Sequence, residues 1–246
     1  MASERTAAAL VGGNELLSGK IADANVVVLA RTLRRLGVVL RRVVVVPDEL
    51  ALITAEVRGL SASHDVVFTS GGVGPTHDDL TLDGVAAAFD VTLVGAPLLD
   101  ELLRGYYAAR LTDDHLRMAR VPEGARLVTG PGIPWPAIVM RNVWVLPGVP
   151  EVFRMKMPLV ERELGGDRPF VTASVFTTLD EGHLKADLDR VVERFRDVDV
   201  GSYPKWGSER YKTKVTFDAR DEARVAAARA ALLALLPPEA VVDDVE

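Results

Sequence analysis

Apolar and polar positions switch between two periods along the first two thirds of the chain. Ala7–Val11 is a short, continuous apolar run that ends at Gly12-Gly13, and it predicts a buried strand. Ile21–Leu36 carries apolar residues at helical spacing and stops at Gly37, a residue suited to closing a helix. Val38–Val46 is a β-branched run closed by Pro47-Asp48, and Glu49–Leu60 follows with a helical pattern. Asp65–Thr69 is another short apolar strand that runs straight into Gly71-Gly72. A helix is predicted over Thr81–Phe89, then a longer helical stretch from Pro97 to Ala119. Asn142–Leu146 reads as a strand that ends in Pro147-Gly148-Val149-Pro150-Glu151. Pro150 suits the first turn of a helix reaching Leu164, Gly165-Gly166 closes it, and Pro158 is expected to kink or break it.

Continuous apolar strands separated by helices indicate an α/β domain with a mostly parallel sheet covered on both faces. Ligands of such sheets sit beyond the carboxyl ends of the strands. Gly12-Gly13, Pro47-Asp48 and Gly71–Asp79 all lie at such ends, so three polar turns are expected on one rim. The pattern changes after Gly165-Gly166: Phe170–Thr178 reads as a strand, Glu181–Phe195 as a helix, Val198–Tyr203 and Tyr211–Ala219 as strands, and Asp221–Leu236 as a helix. This βαββα order predicts a small α+β appendage, with a first domain over 1–166 and a second over 167–246.

At 246 residues the chain can bury a sizeable core, and 48% apolar with 26% charged residues is a globular composition. A net charge of −6 argues against a protein that grips nucleic acid or an anionic membrane. With no cysteine, disulfides, thiolate catalysis and Cys-ligated zinc are excluded. The short apolar run near the N-terminus fits neither a signal peptide nor a membrane span, so a cytoplasmic location is expected.

The chemistry concentrates in Gly71-Gly72-Val73-Gly74-Pro75-Thr76-His77-Asp78-Asp79. Its glycines let a backbone turn sharply and present amides to an anion, and the helix that follows adds a favourable partial charge. A plain strand-to-helix turn, with Asp79 or Thr81 as N-cap, explains the glycines as well. The Asp78-Asp79 pair separates the two readings. Like charges about 4 Å apart cost about 4 kcal/mol at an effective dielectric of 20, so a phosphate beside two carboxylates needs a divalent cation. Gly12-Gly13-Asn14-Glu15-Leu16-Leu17-Ser18-Gly19-Lys20 is no P-loop: five residues separate Gly13 from Gly19, and Ile21 stands where Ser or Thr is required. The dinucleotide fingerprint fails too, because His77 occupies its third glycine position. Glu15 remains as a second acidic candidate, and Asp48 reads first as a turn residue. His64 and His115 have no metal-cluster spacing, and only His77 sits inside the loop. Tyr203 and Trp206 form an aromatic pair on a turn, which can stack on a flat ring system, though such residues more often cover the core of a small domain.

Gly13-Asn14-Glu15-Leu16-Leu17, Gly19-Lys20, Asn25, then Gly71–Thr81, then Leu146-Pro147-Gly148-Val149-Pro150-Glu151, resemble the molybdopterin-binding-type domain of CinA-like proteins. Val139–Gly148 and Gly201-Ser202-Tyr203-Pro204 resemble the N-terminal domain of eukaryotic FAD synthases and extend the match into the appendage. CinA-like proteins usually carry an Asn-Pro-x-Gly-x-Ala-Pro-Gly stretch where this chain has Gly130-Pro131-Gly132-Ile133-Pro134-Trp135-Pro136, so the substrate contacts of bacterial CinA do not transfer directly. No room is expected for the amidase domain of CinA or the adenylyl-transferring domain of FAD synthase.

The resemblance implies a three-layer fold and hydrolysis of nucleotide diphosphates such as FAD or ADP-ribose, with release of AMP. It implies dependence on a divalent metal (Mg or Co), with potassium favoured in FAD-hydrolysing relatives. Carried over by position, Glu15, Asp78 and Asp79 are the catalytic candidates, and Asp48, Asp78 and Asp79 the metal ligands. Gly13, Asn14, Lys20, Gly71, Gly72, Gly74, Pro75, Thr76, Thr81, Pro147 and Gly148 make up the phosphate and ligand set. A small nucleotide or pterin is the expected ligand and a homo-oligomer, a dimer first, the expected assembly. The alternatives are a molybdenum-cofactor protein and a binding module without turnover.

Overall fold

The computed structural model describes residues 4–166 and 169–243. The chain divides into two compact units, Met1–Asp167 and Arg168–Glu246. Along the first unit run β1 (Thr6–Gly12), α1 (Asn14–Leu17), α2 (Asn25–Arg35), β2 (Val39–Val46), α3 (Leu50–Ser63), β3 (Val66–Ser70) and α4 (Thr81–Ala88). They are followed by β4 (Leu93–Gly95), α5 (Pro97–Tyr107), α6 (Asp113–Arg117), β5 (Arg120–Pro122), β6 (Arg126–Gly130), β7 (Ile133–Met140), β8 (Val143–Leu146) and α7 (Pro150–Leu164).

A six-stranded sheet in the order β2-β1-β3-β8-β7-β6 forms the middle layer. The pairs β1–β2, β1–β3 and β3–β8 are parallel, while β8–β7 and β7–β6 are antiparallel. Period-two alternation assigns each strand's residues to two cores. Ala7, Ala9, Phe68, Trp144 and Leu146 pack under α2 and α7. Ala8, Leu10, Val67, Val143 and Val145 pack under α3 and α4. Helices on both faces explain why β1, β3 and β8 are buried along their length rather than alternating, while the edge strand β2 carries Arg41 and Arg42 to solvent, and the expected three-layer architecture holds.

Several elements depart from expectation. The first long helix begins at Asn25, not Ile21. The stretch 97–119 is not one helix: Ala108, at φ +46°, ends α5, and Thr112 restarts the chain as the N-cap of α6. Strands β4, β5, β6 and β7 were not expected, because Pro134 and Pro136 interrupt the apolar pattern of β7. Those prolines fall where the β6–β7 register shifts, between Val128↔Ala137 and Gly130↔Ile133, so no ladder amide is missed. Pro158 does not break α7, which runs unbroken through it on the solvent-facing side. Water can therefore serve the carbonyl that proline leaves without a donor.

The second unit holds β9 (Val171–Thr177), α8 (Glu181–Arg194), β10 (Asp199–Pro204), β11 (Thr213–Ala219), α9 (Glu222–Leu233) and the two-residue β12 (Val241–Val242). Its antiparallel sheet has the order β10-β11-β9-β12. Val175, Leu184, Val191, Val215, Phe217, Val225 and Leu232 form its core. Tyr203 and Trp206 do not cover that core: they are 56% and 93% exposed. Among the described residues, no helix is long and apolar enough to cross a membrane.

Candidate active site

Because β1, β2, β3 and β8 run parallel, their carboxyl ends share one rim, and a cleft of about 680 Å³ opens there. The loops at this rim pack backbone against backbone. Gly71 lies at φ +100°, its amide donates to Leu146 O at 3.2 Å, and a Cβ on it would fall 2.6 Å from Gly12 O. A Cβ on Gly148 would meet Gly71 Cα at 3.1 Å. Only glycine permits both approaches. Asn25, buried at the start of α2, ties two strand ends together: its Nδ2 donates to Ser70 Oγ at 2.9 Å and to Gly148 O at 2.8 Å. Among the described residues its Oδ1 is buried without a partner, and such an acceptor costs about 1–3 kcal/mol.

Gly72, at φ +65°, turns the chain away from β3. Thr81 closes the loop from the far side, its amide donating to Gly72 O at 2.9 Å and its hydroxyl to Gly71 O at 2.8 Å. Between these anchors, among the described residues, the amides of Gly72, Val73 and Gly74 have no protein acceptor. The acidic end of the loop is held by Thr76. Its amide donates to Asp79 Oδ2 at 2.8 Å, and its single hydroxyl proton is shared between Asp78 Oδ1 and Asp79 Oδ2, each 2.6 Å away. The Thr76 hydroxyl, the Asp78 amide and His77 hold the Asp78 carboxyl below its usual 3.8. It is therefore ionised throughout the neutral range.

Most of the expected residues reach the cleft: Gly13, Glu15, Asp48, Gly71, Gly72, Gly74, Thr76, Asp78, Asp79, Pro147 and Gly148 all border it. Glu15 curls back over Gly13, where a Cβ would meet its carboxylate at 2.7 Å. Asp48 Oδ2 accepts the Asn14 amide at 2.9 Å, so its turn role and its cleft position coexist. Asn14, Lys20, Pro75 and Thr81 are not among the cleft-bordering residues. Thr81 is buried and serves the loop's shape, not a ligand. The α4 N-cap is Leu80, not Asp79 or Thr81. His77 points into solvent, its side chain 97% exposed.

Glu15, Asp23, Asp48, Asp78 and Asp79 border the cleft, and among the described residues no lysine or arginine does. Arg117 and Arg120 lie on the other side of the Gly72–Gly74 loop, in a hollow of about 40 Å³ shared with Asp79. A phosphate entering the cleft would meet backbone amides on one hand and carboxylates on the other. A hard divalent cation suits that donor set, since magnesium is commonly held by one or two carboxylates plus substrate phosphates. Among the described residues no three histidine or acidic side chains gather as a complete metal cluster, so Asp48 is not brought into one set with Asp78 and Asp79.

Asn25, Asp23, Tyr107, Met118 and Val149 border the cleft without having been assigned to it. Asn25 stands in the family motif, but the helical spacing places the helix start at Ile21, so its position at the head of α2 is not legible in the sequence. Neither is the arrival of Tyr107 and Met118, because both sit in the stretch that reads as one continuous helix.

A family model described as a probable molybdopterin binding domain matches residues 8–164, and one described as the middle domain of FAD synthase matches 169–245. An Archaeoglobus fulgidus protein is 34% identical over 87% of this chain and 90% of its own. A probable FAD synthase of Caenorhabditis briggsae is 31% identical over 94% of this chain but 50% of its own length, so this chain spans about half of that relative. The crystal structure of a CinA protein from Thermoplasma acidophilum, 30% identical, matches with a TM-score of 0.60 over 66% of this chain and 99% of its own. With the glycine loop, the Pro147-Gly148 turn and the three-layer sheet all in place, the chain belongs to the CinA-like molybdopterin-binding-domain family and is related to the FAD synthases.

Proposed function

We propose that the chain is a metal-dependent nucleotide pyrophosphatase that cleaves the P–O–P bridge of a dinucleotide-type substrate such as FAD or ADP-ribose. The observation that carries this reading is one cleft wall on which acceptor-less amides at Gly72–Gly74 stand beside the carboxylates of Asp78 and Asp79. Two of the relatives are described as probable FAD synthases, which agrees with a nucleotide ligand.

Asp78 and Asp79 would hold the cation, and Glu15, elsewhere on the cleft border, does not gather with them as a third ligand among the described residues. Bound there, it would neutralise phosphate charge and lower the pKa of a water molecule. The amides of Gly72, Val73 and Gly74 bind phosphate oxygens and stabilise charge as it develops. Water adds to one phosphorus, the bond to the bridging oxygen breaks, and that oxygen leaves on the second phosphate. The products are AMP and FMN from FAD, or AMP and ribose 5-phosphate from ADP-ribose. Thr76 keeps the two carboxylates in register through its shared hydroxyl proton.

A hydrolysis screen of FAD and ADP-ribose against Mg, Co and Mg with potassium, read by chromatography for AMP, tests the reading. Expected is metal-dependent release of AMP, reduced at least about 100-fold in Asp79→Ala. An inert protein across those metals rejects it. A pterin- or nucleotide-binding module without turnover is the second reading, favoured by the lack of a three-carboxylate cluster among the described residues. It predicts a saturable thermal shift with ligand and no product.

A further inference from the structure

The cleft has one wall that phosphate chemistry does not use. Tyr107 is the last residue of α5 and borders the same cleft as Gly72, Gly74 and Asp79, with Met118 also on its edge. Its ring is held in a fixed orientation. It stacks on His115 with centroids 3.8 Å apart and planes 21° from parallel, and it takes the edge of Tyr106 at 5.0 Å. Tyr106 in turn stands edge-on to Trp135 at 5.8 Å. His115 is itself pinned: the Thr112 amide donates to its Nδ1 at 3.1 Å, which assigns the ring proton of the neutral imidazole to Nε2.

The backbone spends energy to keep this arrangement. Ala108, directly after Tyr107, lies at φ +46° and ψ −120°, a region that glycine adopts far more readily than alanine. Strained residues of this kind persist where the surroundings over-determine them, and they cluster at ligand sites. Tyr107 is thus a pre-oriented aromatic ring, half-buried between His115 and the Leu99–Leu103–Val121 cluster, at the edge of a cleft that also carries apolar side chains such as Leu16, Ile21 and Val149.

We propose that Tyr107, with Met118 beside it, is the ring-binding wall of the cleft, on which the planar heteroaromatic end of a phosphate ester stacks. The proposal rests on the phosphate reading of Gly72–Gly74 and deepens it. It makes the substrate class a ring-bearing nucleotide rather than any diphosphate. Base–aromatic stacking strengthens binding by about 5- to 150-fold per ring, so the ring wall can dominate selectivity among diphosphates.

Calorimetric titration of the full chain in magnesium buffer with inorganic pyrophosphate, ADP and FMN tests it. The wild type is expected to bind ADP or FMN at least about tenfold more tightly than pyrophosphate. Which of the two binds better distinguishes a purine from a flavin ring. Tyr107→Phe should stay within about twofold of wild type, because the π face remains. Tyr107→Leu should lose about tenfold for the ring-bearing ligands while keeping its pyrophosphate affinity. FMN fluorescence quenched by the wild type and recovered with Tyr107→Leu would report the stack directly. Met118→Ala, which leaves the Tyr107–His115 stack intact, should cost the ring ligands a few-fold and serves if Tyr107→Leu fails to fold. Unchanged ADP and FMN affinity in these variants, or an equal loss for pyrophosphate, overturns the ring wall and leaves the phosphate reading standing. If the wild type binds none of the three ligands, both readings fall.

Discussion

The two halves of the central sheet treat unpaired backbone groups in opposite ways. In the parallel half, β2-β1-β3-β8, the chain leaves every strand at the same rim, and among the described residues the amides of Gly72, Val73 and Gly74 there have no protein acceptor. In the antiparallel half, the β7 bulge at Pro134–Pro136 turns two carbonyls out of the ladder, and the protein closes them internally. Lys156, only 4% exposed on α7, donates its ammonium to Trp135 O and to Pro136 O, the latter at 3.0 Å. Arg162 covers the facing strand's Thr129 O at 2.5 Å. One half is finished by side chains and gains stability, while the other is left for a ligand to finish.

The comparison breaks most sharply at Gly72. A Cβ there would sit 2.4 Å from Thr81 Oγ1, and φ +65° is unfavourable for any other residue. Thr81 is buried and cannot yield. Gly72→Ala should cost more than about 2 kcal/mol in denaturant unfolding and remove AMP release as well. Loss of stability with full activity would show that the loop is a packing device alone.

On the other side, Lys156→Ala opens a cavity and strands two carbonyls, and should cost about 2–4 kcal/mol with activity per folded molecule retained. Lys156→Met fills the space and removes the buried charge, so its stability should stay within about 1–2 kcal/mol of wild type. Burial pushes the Lys156 pKa down from 10.5 to about 8. Between those values the unfolded chain binds more protons than the folded one, so this group makes stability rise with pH across that window. Below about 8 both states are protonated and the cost of burying the charge no longer changes with pH. Urea titrations at pH 7.5 and pH 10 should therefore show wild type gaining on Lys156→Met at the higher pH. Parallel shifts of the two proteins would refute the buried-ammonium account.

The smallest effect is expected at Lys20, which carries a formal charge near the first motif but does not border the cleft. Lys20→Ala should change AMP release by less than about threefold. A loss beyond tenfold would bring this lysine back into the phosphate-binding set that the resemblance implies.

The parallel half was the legible half. Its strands are apolar runs bounded by glycine or proline, and a run such as Ala7–Val11 can only be buried on both faces. Glu15, Asp48, Asp78 and the glycine loop were legible for the same reason, since strand ends announce the rim. The antiparallel half was illegible because Pro134 and Pro136 break the pattern that marks a strand, and the lysine that compensates lies twenty residues further on. Thr81 reads as a ligand group because a sequence shows a hydroxyl but not where its one proton goes, and the Gly71 carbonyl takes it. Thr76 does reach the cleft, its proton held by the Asp78 and Asp79 carboxylates.

The sequence by itself determined the layers, the rim and the acidic glycine loop, because these follow from local periodicity and from chain chemistry at strand ends. Tertiary structure alone decided which carboxylates and amides share the cleft, that Lys156 closes a bulge, and that Tyr107 stands at the cleft edge. Each of those depends on contacts between segments far apart in the chain, or on a single strained residue, Ala108, whose conformation its side chain does not announce.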